Sequence, residues 1–414
     1  MTNSLKGNCA IIGFGYRHIE GLQNWVSPLR LLVEASLAAI HQAKIDRHQI
    51  GAIYTIRPPV ADLHPQYNNK IANELKILPR LSSEITIHAA GLISSLQYAT
   101  MALQAGLADY VLCVAGDSSN IWMAGNDRIS SNAFTEADLQ FEAPYLPITP
   151  SFYAFIAQRH MEEYGTTPRQ LAKVAVEHRK WAIRHPYACM RDKGEITVED
   201  VLKSRIISSP LHLLDCCPRF PFGSAGAVVV CRAEDAKRHT DRPVFILGAA
   251  ECTTHEYITD RLELPEEHSQ GLGRSLTTTG VKIAAQHAFE MAGLGPKDID
   301  LVGCAAQFTI LPIVELEDMG FCKKGEGGKF IEDGGINFGT GLPVNTNGGL
   351  LSFGQAGASM NMDTLIEVVT QLRHEPFGEK VPKARFGVVH GNGGPGMACN
   401  AVAVLGTELG RRGI

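Results

Sequence analysis

Pro343-Val-Asn-Thr-Asn-Gly-Gly-Leu-Leu-Ser-Phe-Gly-Gln-Ala-Gly-Ala-Ser359 decides how the rest of this 414-residue chain is read. An apolar entry leads into a glycine-dense turn with two asparagines. Small residues then open a helical run that reaches about Arg373. That order describes a tight strand-to-helix connection in an α/β protein. Glycines at such a turn supply positive φ and let a ligand or another backbone come close. Asn345, Asn347 and Gln355 put amide groups beside helix-terminal N–H donors, a setting suited to holding a carbonyl or an oxyanion. A plain packing turn uses the same residues, so the stretch takes its meaning from the chain around it.

Working outward, strands and helices alternate. Cys9–Gly15, Ile50–Ile56, Ile85–His88 and Tyr110–Gly116 read as apolar strands. Ser27–Lys44 is a helix with Ser27 as N-cap and Pro28 at its first position. Asn68–Leu75 and Ala89–Ala105 are further helices, the last dense in small residues and therefore buried in a crowded layer. Continuous apolar strands between helices indicate a sheet covered on both faces. From Asp117 to about Leu214 the alternation stops. Helices at Pro150–Tyr164 and Pro168–Ile183 belong to an excursion of the kind that forms functional loops or lids. Ala225–Cys231 returns to strand.

From Pro243 the pattern repeats. Val244-Phe-Ile-Leu-Gly248 echoes Ala10-Ile-Ile-Gly13. Ala284, Ala288, Ala292 and Ile299 keep the register of Ala35, Ala39, Ala43 and Ile50. Thr346-Asn-Gly-Gly349 echoes Ile87-His-Ala-Ala-Gly91, and Arg385–Gly391 echoes Tyr110–Gly116. Four echoes in one order mark an internal duplication, with halves at 1–235 and 236–414 packed into one layered body.

Composition narrows the function classes. The chain is 45% hydrophobic and 20% charged, ordinary for a globular protein, and its net charge of −5 gives no basic footprint for nucleic acid. Ten cysteines occur singly except for Cys216-Cys217, with no C-x-x-C pair, so reduced thiols in a cytoplasmic protein are expected rather than a disulfide scaffold or a zinc site. The first residues lack a signal-peptide pattern, and no apolar run approaches the roughly 18 residues of a membrane span.

Several stretches together resemble the thiolase superfamily, above all sterol-carrier-protein-type thiolases and thiolase-like steroid side-chain aldolases. They are Ala102–Asp109, Ile196–Ser204, Pro210–Cys217, Leu316–Cys322, Gly325–Phe330 and the stretch from Pro343 to Gly357. The resemblance covers nearly the whole chain and implies a layered αβαβα fold of two duplicated halves. It also implies an acyl-CoA substrate, with coenzyme A entering as part of it and no tightly bound cofactor. Thiolases attack the thioester with a cysteine at the head of the helix after the third strand, where the helix dipole favours a thiolate. Here that position is Ala89. The family's Gly-His-Pro histidine matches Gln355, and its His-Asp or Tyr-Asp pair matches Ala305-Ala306. The tyrosines attributed to the aldolases fall on Ala305 and Gln355, so neither chemistry transfers residue by residue.

What remains is a polar set on the corresponding turns. His390, in the loop His390–Gly396, is expected as general base or acid, with Asn347 and Gln355 holding the thioester oxygen. His88, Ala89, Asn345, Asn392 and Gly349 are expected to line the substrate. Cys113, Cys304 and Cys399 are core residues, and Cys216-Cys217 is a family packing signature. Gly325–Phe330 reads as a flexible surface loop. These residues predict retro-aldol chemistry on a β-hydroxyacyl-CoA without a covalent intermediate; the alternative is a non-catalytic acyl-CoA- or lipid-binding subunit. A displaced-cysteine acyltransferase is disfavoured, since no cysteine falls on a helix-start turn. The resemblance further implies a dimer, with an identical or a thiolase-like chain, and a separate OB-fold zinc-ribbon protein as partner.

Overall fold

The apolar run at Cys9 continues as one long strand (β1, Cys9–Glu20), and Ser27 caps the following helix (α1, Pro28–Gln42) by accepting from the Arg30 amide. The computed structural model describes residues 7–21, 24–56, 58, 66–118, 137–145, 149–218, 222–263, 271–357 and 360–409. β2 (Ile50–Thr55), α2 (Tyr67–Leu75), β3 (Leu81–Glu84), α3 (Gly91–Gln104) and β4 (Tyr110–Ser118) complete the first alternation. The excursion carries α4 (Thr149–Tyr164), α5 (Pro168–Ala182), α6 (Val198–Lys203) and a small hairpin, β5 (Ile206–Ser208) with β6 (Leu211–His212). Its parts 119–136 and 146–148 lie outside the described residues. β7 (Phe222–Arg232) returns to the sheet.

The second half runs β8 (Val244–Thr253), α7 (Ile258–Glu263), α8 (Val281–Ala292), β9 (Leu301–Gly303) and α9 (Ile310–Asp318). It closes with α10 (Gly327–Glu332), α11 (Gly349–Phe353), α12 (Met360–Leu372), β10 (Phe386–Gly393) and β11 (Cys399–Gly406).

The strand order β3-β2-β4-β7-β1-β8-β11-β10-β9 has a seam where Cys9–Ile11 of β1 pairs antiparallel with Val244–Ile246 of β8. Outward from it, β1-β7-β4-β2 and β8-β11-β10-β9 match strand for strand, with antiparallel, antiparallel and parallel pairings in both. The isolated bridge between Val302 and Val344 stands where β3 stands in the first half. α1 packs on β1, β4 and β7, and α8 packs on β8 and β11. Between the half-sheets lie α3 and α12, each touching strands of both halves. The layers are therefore α, β, α, β, α.

Close approach explains the repeated small residues. A Cβ on Gly15 would stand 2.0 Å from the Ala35 carbonyl oxygen, and one on Gly248 would stand 2.1 Å from that of Ala288. Strand glycine under helix alanine is one device used twice. The central layer is also tied by polar contacts: Asp363 of α12 accepts from the Tyr16 hydroxyl of β1 and the Ser224 hydroxyl of β7, each at 3.0 Å.

Three local expectations change. The strand placed at Ile85–His88 lies earlier, at Leu81–Glu84, because this strand forms the sheet edge and needs no apolar alternation. Gly325–Phe330 is no loose loop: Gly327 begins α10, and its amide donates to the buried Glu317 carboxylate at 2.7 Å. The last long strand runs on to Gly393, so His390 sits inside β10 rather than in a loop after it.

Candidate active site

Ala89 and Ala90 lead into α3 with no side chain capping the helix. His88 makes the turn with φ 49°, a left-handed conformation that costs a histidine backbone energy and must be fixed by its surroundings. The end of β10 fixes it. A Cβ on Gly393 would stand 2.3 Å from His88 Cβ and 2.8 Å from the Ala89 amide nitrogen, so only glycine lets the strand pass under the helix head. The His88 ring reaches the exposed rim, yet the protein packed around its base lowers its pKa below the ordinary 6.5 by desolvation. It is a neutral imidazole at pH 7, with the helix head behind it.

The opposite wall is a strip made by two distant segments. Asp215 accepts from the Thr309 hydroxyl at 2.8 Å and from the His212 amide at 2.9 Å, and burial raises its pKa above the ordinary carboxylate value. Cys216 bridges to Phe308, and the Cys217 amide donates to the Gln307 carbonyl at 2.7 Å. The clamp delivers two side chains. The Cys217 thiol donates to Gln355 Oε1 at 3.1 Å and packs against Ala89 and Leu350. Gln307 Nε2 donates to Asn392 Oδ1 at 2.8 Å. Asn392 is fully buried, and its Nδ2 has no hydrogen-bond partner among the described residues.

Of the residues expected here, the fold thus gathers His88, Ala89, Gln355 and Asn392. Cys217 joins them, although the pair Cys216-Cys217 reads in sequence as packing alone. Only Cys216 behaves so: its thiol donates back to the His212 carbonyl at 3.3 Å. The helix-start turn His88-Ala89-Ala90 itself holds no cysteine, and Cys217 packs against it from a distant segment. No sequence pattern signals it, because the contact depends on Asp215 clamping a segment far along the chain.

His390 is placed elsewhere. Its ring is fully buried, with Nε2 3.3 Å from Asn400 Oδ1 and Nδ1 3.3 Å from the Glu315 carboxylate. Glu315 is itself fully buried, and desolvation raises its pKa despite the imidazole. This pair belongs to the interior beneath the site. Asn345, at φ 52°, accepts from the Cys304 amide at 2.8 Å, and Asn347 Oδ1 accepts from the Gly349 amide at 2.9 Å. These carbonyl oxygens build the turn into α11. Gly349 is buried at φ 55°, where a Cβ would meet Asn345 Nδ2 and His178 Nδ1, each at 3.0 Å.

The run Leu316–Phe330 is structural. Glu317, buried, meets His160 Nε2 at 3.1 Å and the Lys324 ammonium at 3.1 Å, while Lys324 reaches Asp318 at 2.7 Å. Lys329 pairs with Asp333 at the surface, away from the site. All ten cysteines are free thiols, and no helix among the described residues is long and apolar enough to cross a membrane.

Residues 266–407 match the family model described as thiolase C-terminal domain-like. An acetyl-CoA acetyltransferase of Methanothermobacter thermautotrophicus is 33% identical over 94% of this chain and 96% of its own length. A steroid side-chain-cleaving aldolase of Thermomonospora curvata is 32% identical over 84% of this chain and 86% of its own. Among solved structures, the Ltp2-ChsH2(DUF35) aldolase superposes with a TM-score of 0.80 at 28% identity, covering 97% of this chain and 98% of that one. The duplicated layers, the glycine-dense turn into α11 and these relatives agree: the chain belongs to the thiolase superfamily, among its sterol-carrier-protein-type thiolases and side-chain aldolases.

Proposed function

We propose that this protein breaks or makes a carbon–carbon bond in an acyl-CoA thioester by retro-aldol chemistry on a β-hydroxyacyl-CoA, with no acyl group carried on cysteine. The observation that carries the reading is a methyl group, Ala89, at the head of α3, packed against Leu350 and the Cys217 thiol, whose S–H donates to Gln355. His88 takes the proton from the β-hydroxyl. The Cα–Cβ bond breaks, the β-carbon leaves as an aldehyde or ketone, and the electron pair moves onto the thioester oxygen as an enolate. Gln355 and Asn392 donate to that oxygen, and the His88 imidazolium returns its proton to Cα. General-base catalysis typically contributes about 10²–10⁴-fold and one oxyanion donor about 10²–10³-fold. No nucleophile is required.

Coenzyme A enters as part of the substrate. A second thiolase-like subunit and a separate partner chain are part of this reading, supported by the aldolase relative named together with a DUF35 component. Free thiols throughout suit a cytoplasmic setting. The burial of His390 favours a second reading, a non-catalytic acyl-CoA-binding subunit beside an active relative. The experiment is a panel of β-hydroxyacyl-CoA thioesters of increasing size, with mass-spectrometric detection of carbonyl and acyl-CoA products. Cleavage that falls at least about 10²-fold in His88→Ala supports the enzyme. No product from any member, alone or with partner chains, leaves the subunit reading.

A further inference from the structure

We infer that Cys217 and Gln307 are positioning residues: the strip they form turns two amides, Gln355 and Asn392, so that both present N–H donors to one developing oxyanion. This deepens the functional reading above and rests on it. An amide side chain has a donor prong and an acceptor prong of nearly the same shape, and only its neighbours decide which faces the substrate. At Gln355 the neighbour is a thiol. Its S–H lies 3.1 Å from Oε1, so the acceptor prong faces Cys217 and Nε2 is the prong turned away. At Asn392 the neighbour is Gln307 Nε2, 2.8 Å from Oδ1, which likewise leaves Nδ2 as the prong turned away.

Nδ2 of Asn392 is buried and has no partner among the described residues, a costly state for an amide N–H pair unless a ligand oxygen completes it. One structural element sets both orientations, since the Cys217 amide donates to the Gln307 carbonyl at 2.7 Å. Asp215 anchors that element to Thr309. The thiol acts here as a donor. A thiol donating to a carbonyl oxygen is protonated, which separates its part from that of an attacking thiolate.

The test uses acetyl-CoA labelled with ¹³C at the thioester carbonyl and isotope-edited infrared difference spectra of the bound probe. Wild-type protein should shift the carbonyl band to lower frequency relative to free acetyl-CoA, and Gln355→Ala should lose most of that shift. Cys217→Val, which fills the same space without a donor, should lose a comparable part, and Cys217→Ser should restore it. In the Gln355→Ala background, Cys217→Val should change nothing further. A merely structural thiol would alter thermal stability while leaving the band in place. Bound probe with an unchanged band in Cys217→Val overturns this inference alone. A mass increase by an acetyl group on Cys217 overturns it too, giving the thiol the nucleophile's part. A wild-type carbonyl band at the frequency of free acetyl-CoA overturns this inference, whereas the functional reading falls only if no β-hydroxyacyl-CoA of the panel is cleaved.

Discussion

His88 and Ala89 stand side by side at the head of α3, one able to move a proton and the other inert. The histidine pKa is lowered by desolvation, so the neutral, proton-accepting form persists below pH 6.5. Catalysis by His88 as a base is full above its lowered pKa and falls as acid protonates the ring. We expect kcat/KM for cleavage to show an acid limb centred below pH 6.5, and His88→Gln to lose both that limb and about 10²-fold or more in rate. A limb unchanged in His88→Gln would move the base elsewhere. Part of this scale is legible in sequence: Ala89 leads into α3, Gln355 follows the short helix α11, and Asn392 stands one residue before the end of β10. His390 misleads for a geometric reason. It precedes Asn392 by two residues on a strand that rises about 3.3 Å per residue, so it sits roughly 7 Å deeper, beside Glu315. Cys217 is invisible in sequence because its neighbours come from the far segment around Gln307.

At the scale of elements, the duplication shows in contacts as well as in strand order. α1 sits on the glycines of β1 as α8 sits on Gly248 of β8, with carbonyl oxygens so near that a methyl group has no room. Gly15→Ala and Gly248→Ala should therefore each destabilise the protein by at least the ~1–3 kcal/mol typical of overpacking, as measured by urea unfolding. Substituting the solvent-facing Gly106, which meets nothing within 4 Å but has φ +69°, should cost only its backbone strain, about 1 kcal/mol. Equal stability of Gly15→Ala and wild type would contradict the close-packed interface. The alanine register that suggests the duplication in sequence is this same packing. What sequence misses are elements whose polarity reflects position: β3, exposed at the sheet edge, and α10, whose glycines are crowded against Glu317 and Gln170.

For the whole molecule, buried ionisable groups set how it responds to acid. His178 of α5 is fully buried, has no hydrogen-bond partner at either ring nitrogen among the described residues, and has its pKa pushed down to about 4 by desolvation. The unfolded chain takes up this proton near 6.5 and the folded one only near 4, so stability is full above pH 6.5 and drains away as pH falls toward 4. That difference amounts to about 2 kcal/mol lost by pH 5 from this residue. Urea midpoints at pH 7 and pH 5 should differ less in His178→Leu than in wild type; equal differences would show that the ring is not titrating as described.

The most direct test of chemistry without an acyl-enzyme is intact-mass spectrometry of the protein during turnover of a β-hydroxyacyl-CoA that it cleaves. The account predicts release of carbonyl and acyl-CoA products while the protein mass stays unchanged at every time point. An acyl adduct that forms and decays at the rate of turnover, on Cys217 or any other side chain, would contradict it.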